Sequence, residues 1–98
     1  MDKYILVDGE PVYEPELLTW ARWFETSAKE RIVAQDTIGD TLVSTVFLGI
    51  NHSLITGAPP ILYETMIFGG PHDQYQKRSS TRAGALDRHN HAVALAKG

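Results

Sequence analysis

Cysteine is absent from the 98-residue sequence. That excludes a disulfide scaffold, a thiolate nucleophile and any zinc or iron–sulfur site built on thiolates. Long apolar runs are absent too: no stretch approaches the roughly 20 residues of a membrane-spanning helix. The opening segment MDKYILVDGEPVYEPE lacks the apolar core of a secretory signal. Positive charge is scarce in the first two thirds. Residues 1–64 carry ten acids and four bases, against two acids and five bases in residues 65–98. Such an acidic body argues against non-specific nucleic-acid binding, which needs a basic face. These absences predict a protein of the cytoplasm that binds neither nucleic acid non-specifically nor a membrane.

What is present suffices for one domain, residues 1–98. The apolar share of 43% and the charged share of 21% are those of a globular chain. Tyr4 to Val7 is β-rich and is followed by the turn pair Asp8-Gly9; Val12 and Tyr13 give a short return strand. Pro15 suits a helix start, and Leu17, Trp20, Ala21, Phe24 and Ala28 fall on one helical stripe, so a helix is predicted over 15–28. Trp23 lies at the edge of that stripe. Arg31–Ile38, the turn pair Gly39-Asp40, and Thr41–Ile50 form a hairpin. The second of these strands is apolar on both faces and is expected at the sheet centre, with Gly49 leaving room for a close neighbour.

Asn51–Pro60 reads as a loop whose tip carries apolar Leu54 and Ile55. Ile61–Phe68 is the next strand, with Leu62, Glu64, Met66 and Phe68 on one face. Residues 69–79 read as an irregular polar connection. Ser80 or Thr81 then caps a last helix with Leu86, His89, Val93 and Ala96 inward, widened by Ala85 and Ala92. The fold class is α+β: an antiparallel sheet of three to four strands packed by two helices, in the order β(β)-α-β-β-β-α.

Glu64 is the one carboxylate in an apolar strand. Unpaired, it would serve as an acid or base; bonded to an arginine or to Ser44 or Thr45, it is structural; in a third reading its whole face is open to solvent and its apolar neighbours are half-covered. Gly69-Gly70-Pro71-His72-Asp73 has the composition of a backbone anion nest but lacks the Lys-Ser/Thr of a P-loop. No complete catalytic set can be assembled, and no metal site is expected: His89 and His91 point to different sides of a helix and a metal needs three converging ligands, for which only His72, Asp73 and one helical His could be combined on paper. No cofactor is implied.

The segments WARWFE (20–25), VSTVFLGINH (43–52) and ILYETMIFGG (61–70) resemble a group of small proteins encoded by tailed phages and prophages. The function of that group is not established, so no residue role carries over. The resemblance implies a phage accessory protein made in a bacterial host cytoplasm. Three expectations follow. The first is a non-enzymatic protein that binds a host protein, such as a defence factor it inhibits, or itself as a homo-oligomer, through Trp23, Leu54 and Ile55. The second is a small-ligand binder for a phosphorylated nucleotide, using Gly69, Gly70, His72, Arg78 and Arg82 with Glu64 and a stacking Tyr63 or Tyr75. The third is a small acid/base enzyme using Glu64.

Overall fold

Two glycine-bearing turns set the two hairpins in the computed structural model, which describes residues 1–98. Asp8 and Gly9 both take positive φ, 52° and 80°, as a type I′ turn requires. They join β1 (Tyr4–Val7) to β2 (Glu10–Tyr13). Gly39, at φ 58°, occupies the first central position of the turn between β3 (Ile32–Ile38) and β4 (Thr41–Phe47). The remaining elements are α1 (Leu17–Thr26), β5 (Tyr63–Phe68), β6 (Gln76–Ser79) and α2 (Arg82–Lys97). The fold is α+β, with strands β3-β4-β5-β6 in one antiparallel meander and β1-β2 as a separate two-stranded sheet.

Alternation along β4 and β5 sorts their side chains onto two faces. Val43, Thr45 and Phe47 pair with Ile67, Thr65 and Tyr63, and all six are buried under α2. The other face carries Leu42, Ser44, Val46, Glu64, Met66 and Phe68 and is covered by no helix. Helix α2 contributes buried Ala85, His89 and Ala92. Phe47, Leu62, Tyr63 and Ala85 form one apolar cluster, which Tyr4, Leu6, Trp23 and Val33 flank. Val43, Ile67 and Ala92 form a second, flanked by Ile38, Tyr75 and Val93. The first cluster ties the N-terminal hairpin and α1 to the sheet; the second belongs to the sheet and α2 alone.

The joint between the two sheets is Trp20. Its indole Nε1 donates to the carbonyls of Tyr4 (3.1 Å) and Gly49 (3.0 Å), and its ring stacks on Phe24 with centroids 4.9 Å apart. Gly49 sits at φ 76°, and a Cβ there would lie 3.3 Å from the Phe24 ring. The close neighbour expected at Gly49 is therefore this aromatic pair. The same residue ends β4 at Phe47 rather than Ile50, because a positive φ leaves the extended region.

Several boundaries differ from the sequence expectation. Helix α1 spans 17–26 rather than 15–28, and Leu17, placed on its inward stripe, is 61% exposed. Trp23 is half-buried against Phe47, edge to face at 5.9 Å. Leu62 precedes β5 and turns into the core, not toward the Glu64 face. The polar connection contains a strand, β6. Gln-Lys-Arg-Ser has no apolar alternation, since it is an exposed edge strand held by its ladder with β5.

Candidate functional site

Exposed apolar surface is concentrated at the N-terminal end. Ten large apolar side chains are exposed, and eight of them belong to residues 1–18 or to the Leu54-Ile55 tip: Met1, Val7, Val12, Tyr13, Leu17, Leu18, Leu54 and Ile55. The segments that carry them adjoin. α1 packs on β1, Lys3 bridges to Ile50, and Asp2 and Tyr4 line a cleft of about 390 Å³ with residues of the 51–60 loop. Helix α1 has no fully buried residue.

The loop that presents Leu54 and Ile55 is built, not slack. Asn51 Oδ1 accepts from the backbone N–H of Ser53 (2.8 Å) and of Ile61 (2.9 Å), closing both ends. His52 N–H bonds the Ile61 carbonyl at 3.0 Å. Ser53 Oγ accepts from Ile55 N–H at 3.2 Å, a local turn of the kind these side chains favour. Leu54 is 100% exposed and Ile55 71%.

Glu64 lies on the helix-free face and is paired. Its Oε2 takes the Arg78 Nε at 3.0 Å and also accepts from Gln76 Nε2. Both partners come from β6, where Arg78 stands directly opposite Glu64. Of the readings open in the sequence, the ion pair with an arginine is the one adopted.

The glycine-rich turn after β5 holds an anion already, the chain's own. Gly69 N–H donates to Asp73 Oδ1 at 2.7 Å. Gly69 and Gly70 have φ of 88° and 70°, and a Cβ on either would meet Asp40 O at 2.8 Å or Thr41 Oγ1 at 2.6 Å. Both glycines are thus required by the close approach of the β3–β4 turn.

The residues proposed for a nucleotide do not converge on one site, although Glu64 pairs with Arg78. Glu64 and Arg78 lie on the helix-free face; Tyr63 lies beneath α2; Tyr75 flanks the opposite core cluster, with Lys77 Nζ 5.9 Å from its ring. His72 is exposed in the turn, and its carbonyl accepts from Tyr75 N–H. Arg82 opens α2.

One constellation escaped the sequence reading. His89 Nε2 is 2.7 Å from Asp36 Oδ2, and its Nδ1 is 2.8 Å from Thr45 Oγ1. Thr45 Oγ1 is in turn 2.7 Å from Thr65 Oγ1. The chain is saturated when Thr65 donates to Thr45, Thr45 to Nδ1, and Nε2–H to the carboxylate. The order hydroxyl, imidazole, carboxylate is that of a nucleophilic triad, but Thr45 and Thr65 are wholly buried and no substrate carbonyl can reach them. The arrangement fixes α2 on the sheet. His89 falls on the predicted inward stripe, yet its partners are 53 and 44 residues away, a separation that no local pattern encodes. No three His, Asp or Glu side chains converge as metal ligands.

Burial raises the Tyr63 phenol above its ordinary 10.0, the charge of Glu10 adds to the rise, and Arg82 opposes it. Its hydroxyl is buried without a partner, as is Ser79 Oγ. Tyr63→Phe is expected to stabilise the fold by about 1 kcal/mol, since it removes an unsatisfied polar atom. A raised folded pKa means that the native state holds its proton where the unfolded chain has lost it. Stability is therefore intact below pH 10 and falls as pH climbs from there through the folded value. Chemical denaturation at neutral pH and at about pH 11 checks both points: the alkaline loss should shrink in Tyr63→Phe.

No helix is long and apolar enough to cross a membrane. No family model, curated protein or solved structure matches the chain.

Proposed function

We propose that this domain acts by binding another protein, not by catalysis, through the surface formed by the β1–β2 hairpin, the start of α1 and the Leu54-Ile55 tip. The observation that carries the reading is the gathering there of eight of the ten exposed large apolar side chains. Scattered apolar residues are ordinary on a protein surface; their concentration on a few adjoining segments supports an interaction site there. Trp23, half-buried, packs edge to face on Phe47 of the core. Against catalysis stand the sealed position of Thr45 and the engagement of Glu64 by Arg78 and Gln76. The partner class suggested by the phage-like segments is a bacterial host protein, such as a defence factor that the domain inhibits in the host cytoplasm.

Capture from bacterial lysate tests the reading. The wild-type protein should retain a defined partner that the double variant Leu54→Asp/Ile55→Asp loses at least tenfold, with unchanged circular dichroism. Identical captured sets for the two proteins would refute this surface. Both substitutions fall on exposed loop-tip positions, so the fold should be kept.

A further inference from the structure

The four-stranded sheet has two edges of different character. β6 is four residues long and includes Lys77 and Arg78; short, cationic edges resist further pairing. β3 is seven residues long, IVAQDTI, with no Lys, Arg or Pro. Its one charge, Asp36, is engaged by His89 at 2.7 Å. No other strand or helix lies outside it, because its packing partners are β4 and α2. We propose that β3 is a self-pairing edge, along which two copies of this chain join antiparallel about a two-fold axis at Gln35, merging their sheets into one.

Backbone geometry and charge together select the axis. Ile38 and Thr41 flank a two-residue turn and form a hydrogen-bonded pair. Bonded and non-bonded pairs alternate along an antiparallel ladder. Asp36–Val43 and Ala34–Thr45 therefore exchange bonds with β4, while Thr37–Leu42 and Gln35–Ser44 do not. Gln35 and Thr37 thus turn their N–H and C=O groups outward. A two-fold axis can pass through an outward-facing residue, which then bonds its own copy, or through Asp36, which would leave Gln35 of each copy bonded to Thr37 of the other. The axis at Asp36 is disfavoured by charge, because it sets two carboxylates face to face, a destabilising cross-strand pair.

The choice between the two outward residues follows from the ends of the strand. An axis at Thr37 sets Gln35 opposite Gly39 of the second copy, which is already in the turn. An axis at Gln35 sets Asp36 opposite Ala34 of the second copy and Thr37 opposite its Val33, at the bulge between Ile32 and Ala34 that ends the regular ladder. The axis residue is a neutral amide whose Nε2 already leans on Ser44 Oγ at 3.2 Å. No like charges meet within Ala34–Thr37, so the edge that repels another strand least is also complementary to itself. This seam does not involve the Leu54-Ile55 tip, and the two surfaces can fail separately.

The absence of native cysteine gives a clean test. In a bonded antiparallel pair the two Cα atoms lie about 5.5 Å apart, within disulfide reach. Mild oxidation of Gln35→Cys should give a covalent dimer, while Thr37→Cys should cross-link at least tenfold more slowly. Sedimentation of the wild-type protein across the micromolar range should show a monomer–dimer equilibrium, weakened at least tenfold by Gln35→Lys. Gln35 and Thr37 are exposed, so these variants should retain the wild-type circular dichroism. A wild-type protein that stays monomeric, a dimer indifferent to Gln35→Lys, or equal cross-linking of the two thiol variants would overturn the proposal. Loss of lysate capture in Leu54→Asp/Ile55→Asp with the dimer intact bears on the other surface only.

Discussion

Replacing Trp20 with alanine should lower the unfolding free energy by about 3 kcal/mol, a large part of the roughly 5–15 kcal/mol that holds a domain together. Three losses combine. The ring leaves Phe24, its stacking partner. The carbonyls of Tyr4 and Gly49 lose their shared donor. The N-terminal hairpin then keeps fewer ties to the sheet, chiefly the Lys3–Ile50 bridge and the contacts of Tyr4 and Leu6 with the first core cluster. Trp20→Phe keeps most of the packing and gives up only the hydrogen bonds, so it should cost about 1 kcal/mol. Urea titration followed by far-ultraviolet circular dichroism measures both. A loss below about 1 kcal/mol in the alanine variant would show that the joint is not where the two sheets are held.

The second large effect is expected at Thr45. Thr45→Val conserves shape but removes the hydroxyl that links His89 to Thr65. One imidazole nitrogen and one hydroxyl are then stranded in a dry interior, at a cost of about 2–3 kcal/mol. A double-mutant cycle separates this from simple packing. In a His89→Leu background the stranded nitrogen no longer exists, so Thr45→Val should cost less by about 1 kcal/mol. Equal costs in the two backgrounds would mean that the hydroxyl–imidazole contact contributes nothing. Asp36 is more forgiving, because its carboxylate is largely solvated and remains hydrated when its partner is lost.

The fold class followed from periodicity because the periodicity is physical. Val43, Thr45 and Phe47 alternate with Leu42, Ser44 and Val46 because a pleated strand has two sides, and only one faces α2. The edge strand Gln76–Ser79 was illegible for the converse reason: an exposed strand has no apolar rhythm, and its pairing is written in β5. Glu64 stood out in the sequence as an anomaly, but its answer, Arg78, lay fourteen residues away in that hidden strand. Gly69 and Gly70 suggested a nest for a ligand anion. Chemically the suggestion was apt, since Gly69 N–H does bind a carboxylate; the carboxylate is Asp73. Leu17 misled because its helical stripe is real while its first turn runs beyond anything it could pack against. Contacts between segments far apart in the chain, such as Asp36 with His89, became visible only once the sheet was assembled.

The doubly accepting carboxamide of Asn51 has a kinetic meaning. With Ser53 and Ile61 both bonded to one oxygen atom, the 51–60 loop loses its conformational freedom when the chain folds, and little of that loss is left for the moment of encounter. A partner would then meet Leu54 and Ile55 already in place. Association would be governed by diffusion and orientation, not by waiting for a loop to order itself, and the lifetime of the complex would be set by how well those two side chains are enclosed.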